Sequence, residues 1–304
     1  MDGISFEGRV AIVTGAGGGL GRTHALDLAA RGAKVVVNDL GSTIAGTGGG
    51  TAMADHVVKE IIDAGGQAVA NYDSVATPEG GKAIVQTALD AYGTVDILIN
   101  NAGNIRNAPF TELTPDSIEA LLAVHVKGAF YVTQPAFAVM RDKGYGWIVF
   151  TSSASGVFGN PEQANYGAAK GAVLGLANVV ALEGASHGIL VNTVLPMAQS
   201  RMGADMNPDM MATLPTTPAH TEPEMVTAMV AYLASEENPY THEVFSIARG
   251  RYARAFIGVT EGWHVAADEP LATADDVRRH IARIRDQDGY HVPGSLIEEA
   301  GLIP

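Results

Sequence analysis

Thr14-Gly15-Ala16-Gly17-Gly18-Gly19-Leu20-Gly21 decides how this chain folds. The β-branched run Val10 to Thr14 precedes it, and an amphipathic stretch at about Leu20 to Arg31 follows. The pattern is therefore strand, glycine turn, helix. Glycines at such a turn let the backbone bend sharply and approach an anion. The unbonded N–H groups and positive dipole end of the new helix then face that anion. Gly15, Gly17, Gly19, Leu20 and Gly21 are the candidate contacts for a diphosphate, and a plain tight turn is the bland alternative.

The same rhythm continues outward. Strands are expected at about Val10–Thr14, Lys34–Asp39, Gln67–Asn71, Val95–Asn100, Trp147–Thr151, Ile189–Leu195 and Val244–Ala248. Helices are expected at about Leu20–Arg31, Ala52–Ala64, Glu79–Tyr92, Pro115–Arg141, Gln163–His187 and Pro223–Ser235. Runs such as Ile97-Leu98-Ile99 lack alternation, as strands covered on both faces do. The expected fold is α/β, a doubly wound parallel seven-stranded sheet in a single domain over 1–250, with a C-terminal extension over 251–304. That extension should pack on the domain or on a neighbouring subunit, with an edge strand at Arg254 to Val259 and a helix from Thr273 to near Asp286.

Two segments break the rhythm. Gly41 to Gly50 holds five glycines in ten residues directly after the second strand, where a cofactor ribose would lie; a flexible surface loop is the equal alternative. The stretch 196–224 holds five prolines, and seven of the ten methionines fall between Met197 and Met229. A long loop with adaptable apolar side chains suits a substrate lid.

Composition bounds the partners. The 304 residues carry 19 Lys and Arg against 33 Asp and Glu, a formal charge of −14, which argues against a nucleic-acid surface. With 47 % hydrophobic residues the chain builds a large core rather than remaining disordered. Cys is absent, which removes disulfides, thiol nucleophiles and thiolate zinc sites, and no metal site is assigned. The acidic start Met1-Asp2-Gly3-Ile4-Ser5-Phe6-Glu7 does not read as a signal peptide. The longest apolar stretch, Leu121 to Met140, is interrupted by His125, Lys127 and Gln134, so no membrane span is expected and the localisation expected is cytoplasmic.

The remaining candidates lie at the C-terminal ends of the expected strands, the edge where open α/β sheets bind ligands. Asp39 stands 18 residues after Gly21, placed to accept hydrogen bonds from ribose hydroxyls and to repel a ribose phosphate. It therefore predicts NAD over NADP; a turn-forming Asp is the alternative. Asp73, with Ser74 beside it, is placed to accept from an adenine amino group, and Asn101, Ala102 and Gly103 follow the fourth strand.

Ser153 closes the fifth strand, and Tyr166 and Lys170 open the next long helix, one turn apart on one face. With 9 Tyr and 6 Lys among 304 residues chance supplies about 0.2 such pairs, so the position on the sheet edge carries the weight. A free Tyr, with a pKa near ~10, is a poor base, and a nearby ammonium favours its phenolate. Tyr166 is then the candidate acid/base, Ser153 the donor to the substrate oxygen and Lys170 the group that lowers the Tyr pKa. A partly buried Tyr beside a snorkelling Lys is the bland alternative.

These residues resemble the short-chain dehydrogenase/reductase family over about residues 6–250: Thr14-Gly15-x-x-x-Gly19-x-Gly21, Asp73, Asn100-Asn101-Ala102-Gly103, Ser153 and Tyr166-x-x-x-Lys170. The resemblance implies a Rossmann-type domain, a nicotinamide cofactor and reversible alcohol/carbonyl oxidoreduction. Val36 to Gly41 with its glycine-rich insert, Ala70 to Val75, Thr151 to Gly156 and Gln163 to Tyr166 look like the hydroxyacyl-CoA dehydrogenase unit of peroxisomal multifunctional enzymes. That branch implies an NAD-dependent (3R)-hydroxyacyl thioester or hydroxysteroid dehydrogenase. An NADP-linked 3-oxoacyl-carrier-protein reductase and a non-catalytic nucleotide sensor are the competing readings. His125 stands where the family has a relay Asn, so it is either a water-bridging relay or a packed helical histidine. The substrate is expected to be a bulky apolar alcohol or ketone, CoA-linked if Arg249, Arg251 and Arg254 meet its phosphates. Small residues along the helix after Gln163 suggest a homodimer or homotetramer.

Overall fold

The computed structural model describes residues 3–198 and 219–302. They fall into two compact units, Met1–Arg254 and Ala255–Pro304. In the first, seven strands form a parallel sheet: β1 Val10–Thr14, β2 Lys34–Asn38, β3 Gln67–Asn71, β4 Ile97–Asn100, β5 Gly146–Thr151, β6 Ile189–Met197 and β7 Glu243–Ala248. Their order is β3-β2-β1-β4-β5-β6-β7, with β8, Arg251–Ala255, beside β7. The expected seven-stranded parallel sheet is thus extended to eight strands. Only Arg249 and Gly250 separate β7 from β8, both with left-handed φ of 52° and 85°, and a two-residue connection joins antiparallel strands. The added strand lies earlier than the sequence placed it, because the turn at Arg249 was not legible as one.

The helices are α1 Gly19–Ala30, α2 Ala52–Asp63, α3 Pro78–Tyr92, α4 Pro115–Leu121, α5 Gly128–Lys143, α6 Ala154–Phe158, α7 Ala164–Ala185 and α8 Pro223–Leu233. The single helix expected over Pro115 to Arg141 is divided: a π-helical segment, Leu122–Lys127, separates α4 from α5. Such segments insert an extra residue into a helix and often mark functional sites. This one carries His125.

Alternate strand residues feed two cores. Ala11, Val13, Ile97, Ile99 and Val149 belong to one face, while Val10, Ile12, Leu98, Ile148 and Phe150 belong to the other. Coverage of both faces explains why these strands are apolar throughout, each buried Val, Ile or Phe contributing roughly 1.5–3 kcal/mol. In β1 to β5 polarity returns at the C-terminal ends, where Thr14, Asn38, Asn71, Asn100 and Thr151 close the strands. The chain leaves β1 toward β2 and β3, then returns to β4 on the other side of β1, so a topological switch point opens at these polar ends.

Among the described residues one helix, α7, is long and apolar enough to cross a membrane by length and composition. It is not the stretch singled out from the sequence. Its inward residues, among them Val173, Ala177 and Ala181, are built into the second core. The expected lid over 196–224 lies, from 199 to 218, outside the described residues; Met225 and Met229, which follow it in α8, pack against the first core.

In the second unit a helix, Ala274–Ile284, begins with a capping box between Thr273 and Asp276. Val259 pairs antiparallel with His291, the Trp263 and His280 rings stack 4.0 Å apart, and Phe256 stacks on Tyr290 at 5.6 Å.

Candidate active site

The glycine turn adopts the conformation its composition anticipates. Gly19 has a φ of +52° with nothing within 4 Å of a would-be Cβ, so the backbone there is open to a ligand. A Cβ on Gly21 would sit 2.2 Å from the Gly15 carbonyl oxygen, which ties α1 closely to the turn. The first turn of α1 holds no acidic residue of its own. Asn101 secures the turn from β4: its Nδ2 donates to the Thr14 carbonyl at 2.9 Å and to the Gly15 carbonyl at 3.2 Å. Thr14 Oγ1 accepts from the Asn101 and Ala102 N–H groups, both at 3.0 Å.

A cleft open to solvent begins at this turn. Gly15, Gly19, Leu20, Asp39, Asp73, Ser74, Asn101, Ala102 and Gly103 all line it; Gly17 and Gly21 support it from behind. Asp39 also braces the wall, accepting from Gly17 N–H at 2.8 Å and Gly41 N–H at 2.7 Å. Each carboxylate oxygen has a further lone pair, so the ribose role read from the sequence is compatible with these bonds. An open left-handed Gly19, a helix N-terminus with no acidic residue in its first turn and a carboxylate at the end of β2 fit the diphosphate and ribose of a dinucleotide.

Asparagines that the sequence reading did not single out hold Asp73. Asn71 Nδ2 donates to Asp73 Oδ2 at 2.7 Å, and Asn38 Nδ2 donates to Asn71 Oδ1 at 2.8 Å and to the Asp73 carbonyl at 2.9 Å. Asn38 and Asn71 are paired in register at the ends of β2 and β3. That two asparagines close adjacent β-branched strands was the available signal.

The glycine-rich segment 41–50 is not a free loop. Ser42, Thr43, Ile44 and Gly46 line the cleft, the Ile44 carbonyl accepts from Ile105 N–H at 3.1 Å, and the Ala45 carbonyl accepts from Arg106 Nε at 2.8 Å. Of the two readings left open, the structure places this segment as a wall of the cleft.

Ser153, Tyr166 and Lys170 come together beyond the far end. Ser153 caps α6, its Oγ accepting from Ser155 N–H at 3.2 Å, which leaves its own hydrogen for the Tyr166 hydroxyl it bonds. Burial pushes the Tyr166 hydroxyl up from its ordinary pKa, and the Ser153 hydrogen bond pulls the other way. Lys170 Nζ lies 5.7 Å from the Tyr166 ring centre and donates to the Thr151 carbonyl at 2.6 Å. Burial brings the Lys170 ammonium down to about 7, and no salt bridge to it is present among the described residues. The net direction at Tyr166 differs from the lowering expected from Lys170, because in the chain alone desolvation outweighs the neighbouring groups.

His125 is buried, its ring set edge-on to Tyr166 with centres 5.4 Å apart. Nε2 donates to the Asn104 carbonyl at 2.7 Å, leaving Nδ1 buried without a partner. Burial, then the neighbouring Lys170 charge, bring its pKa down to about 3, so it is neutral near pH 7. A small cavity lined by His125, Thr151 and Lys170 meets the main cleft at Val75, Ala102 and Val124, and Thr151 Oγ1 is also unpartnered.

Comparisons agree with this geometry. The short chain dehydrogenase family matches residues 9–210. A short-chain type dehydrogenase/reductase of Mycobacterium tuberculosis is 44 % identical over 288 residues, 95 % of this chain and 98 % of that protein. Peroxisomal multifunctional enzyme type 2 of Drosophila melanogaster is 47 % identical over 302 residues, 99 % of this chain but 49 % of that enzyme, so the chain spans about half of this relative. The full-length structure of the Drosophila enzyme superposes with a TM-score of 0.78 at 34 % identity, again over 98 % of this chain and 49 % of the other. A glycine turn at the switch point, a Ser-Tyr-Lys group at the same sheet edge and these likenesses together make the chain a member of the short-chain dehydrogenase family, an oxidoreductase acting on CH–OH groups.

Proposed function

We propose that the chain is an NAD-dependent dehydrogenase of bulky apolar (3R)-hydroxyacyl thioesters. The observation that carries this is the Tyr166 hydroxyl bonded to Ser153 above a buried Lys170, at the end of a cleft with a carboxylate, Asp39, on its wall. Likeness to the peroxisomal multifunctional enzymes supports the choice of substrate class. When bound, an oxidised nicotinamide takes up the hydride and brings a positive ring charge. Tyr166 exchanges the proton of the substrate oxygen, and Ser153 donates a hydrogen bond to that oxygen as charge develops on it. The Lys170 ammonium favours the Tyr166 phenolate and offsets the burial that raises its pKa. His125 Nδ1 and Thr151 Oγ1 are acceptor and donor for a water able to carry the proton onward from Lys170.

Selectivity for NAD rests on Asp39, whose charge opposes a ribose phosphate. The exposed stripe Ala168, Ala172, Gly175, Val179 and Leu182 on α7, with Phe130 on α5, is the proposed contact of a homodimer or homotetramer. Assaying (3R)- and (3S)-hydroxyacyl-CoA and hydroxysteroids with NAD and NADP tests the assignment. Turnover is expected for long (3R)-hydroxyacyl-CoA with NAD, and turnover of hydroxysteroids alone or a preference for NADP overturns it. Replacing Asp39 by Ala should collapse the NAD preference, an unchanged ratio removing Asp39 as selector.

A further inference from the structure

Asn104 to Ala108 leave β4 and run between the glycine-rich wall of the cleft and the start of α7. On one side Ile105 N–H donates to the Ile44 carbonyl at 3.1 Å and Arg106 Nε to the Ala45 carbonyl at 2.8 Å. On the other side the Arg106 carbonyl accepts from Asn165 Nδ2 at 2.9 Å, and Ala108 N–H donates to the Glu162 carbonyl at 2.9 Å. Asn165 Oδ1 in turn accepts from Tyr166 N–H at 2.8 Å. One residue, Arg106, therefore holds the nucleotide wall with its side chain and the residue before Tyr166 with its main chain. Asn104, Ile105 and Asn165 are buried, which shields the Asn165 bond from water, whereas the Arg106–Ala45 bond lies at the surface.

We propose that Arg106 and Asn165 are positioning residues that couple occupancy of the adenosine end of the cleft to the placement of Tyr166. The proposal rests on the reading of the cleft as a dinucleotide site. Segment 41–50 contains no helix or strand and is half glycine, so its order depends on what it is bonded to. A nucleotide in the cleft meets Ser42, Thr43 and Ile44 and so binds the ordered segment better than a loosened one. Order in the segment fixes Ala45, Ala45 fixes the Arg106 side chain, and the Arg106 peptide fixes Asn165. By linkage the same bonds make a well-placed α7 favour the nucleotide.

ADP is the probe, because it fills the adenosine and diphosphate positions without reaching Tyr166. In the wild-type protein ADP is expected to slow hydrogen exchange in 41–50 and, by about threefold or more, in the peptide spanning 163–169. In Arg106→Met the protection of 41–50 should persist while that of 163–169 falls to less than about half, with Arg106→Lys restoring it. Asn165→Ala leaves Arg106 on Ala45, removes the far bonds to the Arg106 carbonyl and from Tyr166 N–H, and should give the Arg106→Met pattern, which guards against misfolding of either variant. In turnover Arg106→Met should raise KM for NAD and lower kcat at saturating NAD, whereas a purely local loss at the wall moves KM alone. Equal protection of 163–169 in Arg106→Met and wild type, or protection of 41–50 without 163–169 in the wild type, overturns the proposal. Absence of any ADP effect at the glycine turn and at 41–50 overturns the dinucleotide reading itself, a distinguishable result.

Discussion

Two lysines sit at opposite ends of the same sheet and are partnered in opposite ways. At the N-terminal edge Lys143 Nζ pairs with buried Asp96 and also donates to Thr94 Oγ1 at 3.0 Å and the Val95 carbonyl at 2.7 Å. Asp96 further accepts from Val10 N–H at 2.7 Å and from the Tyr145 hydroxyl at 3.1 Å. At the C-terminal edge Lys170 is buried on a single carbonyl, beside His125 Nδ1 and Thr151 Oγ1, which have no partner. A charge taken out of water is tolerable when matched and hydrogen-bonded, and otherwise shifts its pKa toward neutrality. The first lysine is thus part of what holds the sheet together, while the second is buried without an opposite charge among the described residues.

The sharpest way to break this contrast is to remove the reacting end. Tyr166→Phe should lower kcat/KM by about 10³-fold or more while NADH binding stays measurable. Lys170→Met should lose activity by a similar factor yet raise Tm by a few degrees, about 1 kcal/mol being worth ~2–4 °C in a domain of this size. Steady-state kinetics with thermal unfolding decide it. Activity retained in Tyr166→Phe, or a Lys170→Met protein that loses stability, would make this edge structural like the other.

Removing the carboxylate at the opposite edge should give the reverse. Asp96→Asn leaves Lys143 without its counter-charge and should reduce stability by about 3–5 kcal/mol. That corresponds to a Tm lower by roughly 10 °C. Turnover at low temperature, where the variant remains folded, should stay within about twofold of wild type, since none of the Asp96 partners touches the cleft.

What was legible in the sequence follows from the same contrast. The glycine turn, Asp39, Ser153 and the Tyr166–Lys170 pair are local patterns whose spacing is set by one strand end or one helical turn, and the structure brings them to one edge. The strands were legible because each must be apolar on both faces. Asn71, Asn165 and Arg106 were not, because their meaning lies in bonds across the fold: Arg106 and Asn165 stand 59 residues apart. The π-helical break at His125 was equally hidden, since Leu121 to Met140 reads as one continuous helix. The eighth strand was expected a few residues too late because a non-glycine residue, Arg249, takes the left-handed conformation at its turn.

The smallest effect concerns what it takes to keep the reacting edge neutral. His125 is held with a pKa of about 3 in the folded chain. An exposed imidazole titrates near ~6.5, so the unfolded chain takes up this proton first as pH falls. Folding stability from this residue is therefore complete above about pH 6.5 and declines as the pH drops toward about 3, with a slope near 1.4 kcal/mol per pH unit. His24, buried with its pKa also brought down to about 3, adds a slope of the same sign from the packing of α1. His125→Asn removes one of the two titrating groups. Denaturant unfolding between about pH 6 and pH 4 should show the slope reduced by about 1.4 kcal/mol per unit, with His24→Gln giving an equal and additive reduction. The amide keeps a donor and an acceptor at position 125, so kcat near neutrality should remain within about fivefold of wild type. A slope unchanged in His125→Asn would mean that the histidine is already solvated and that the cavity behind Lys170 opens to water. The contrast between the two edges would then rest on Lys170 alone.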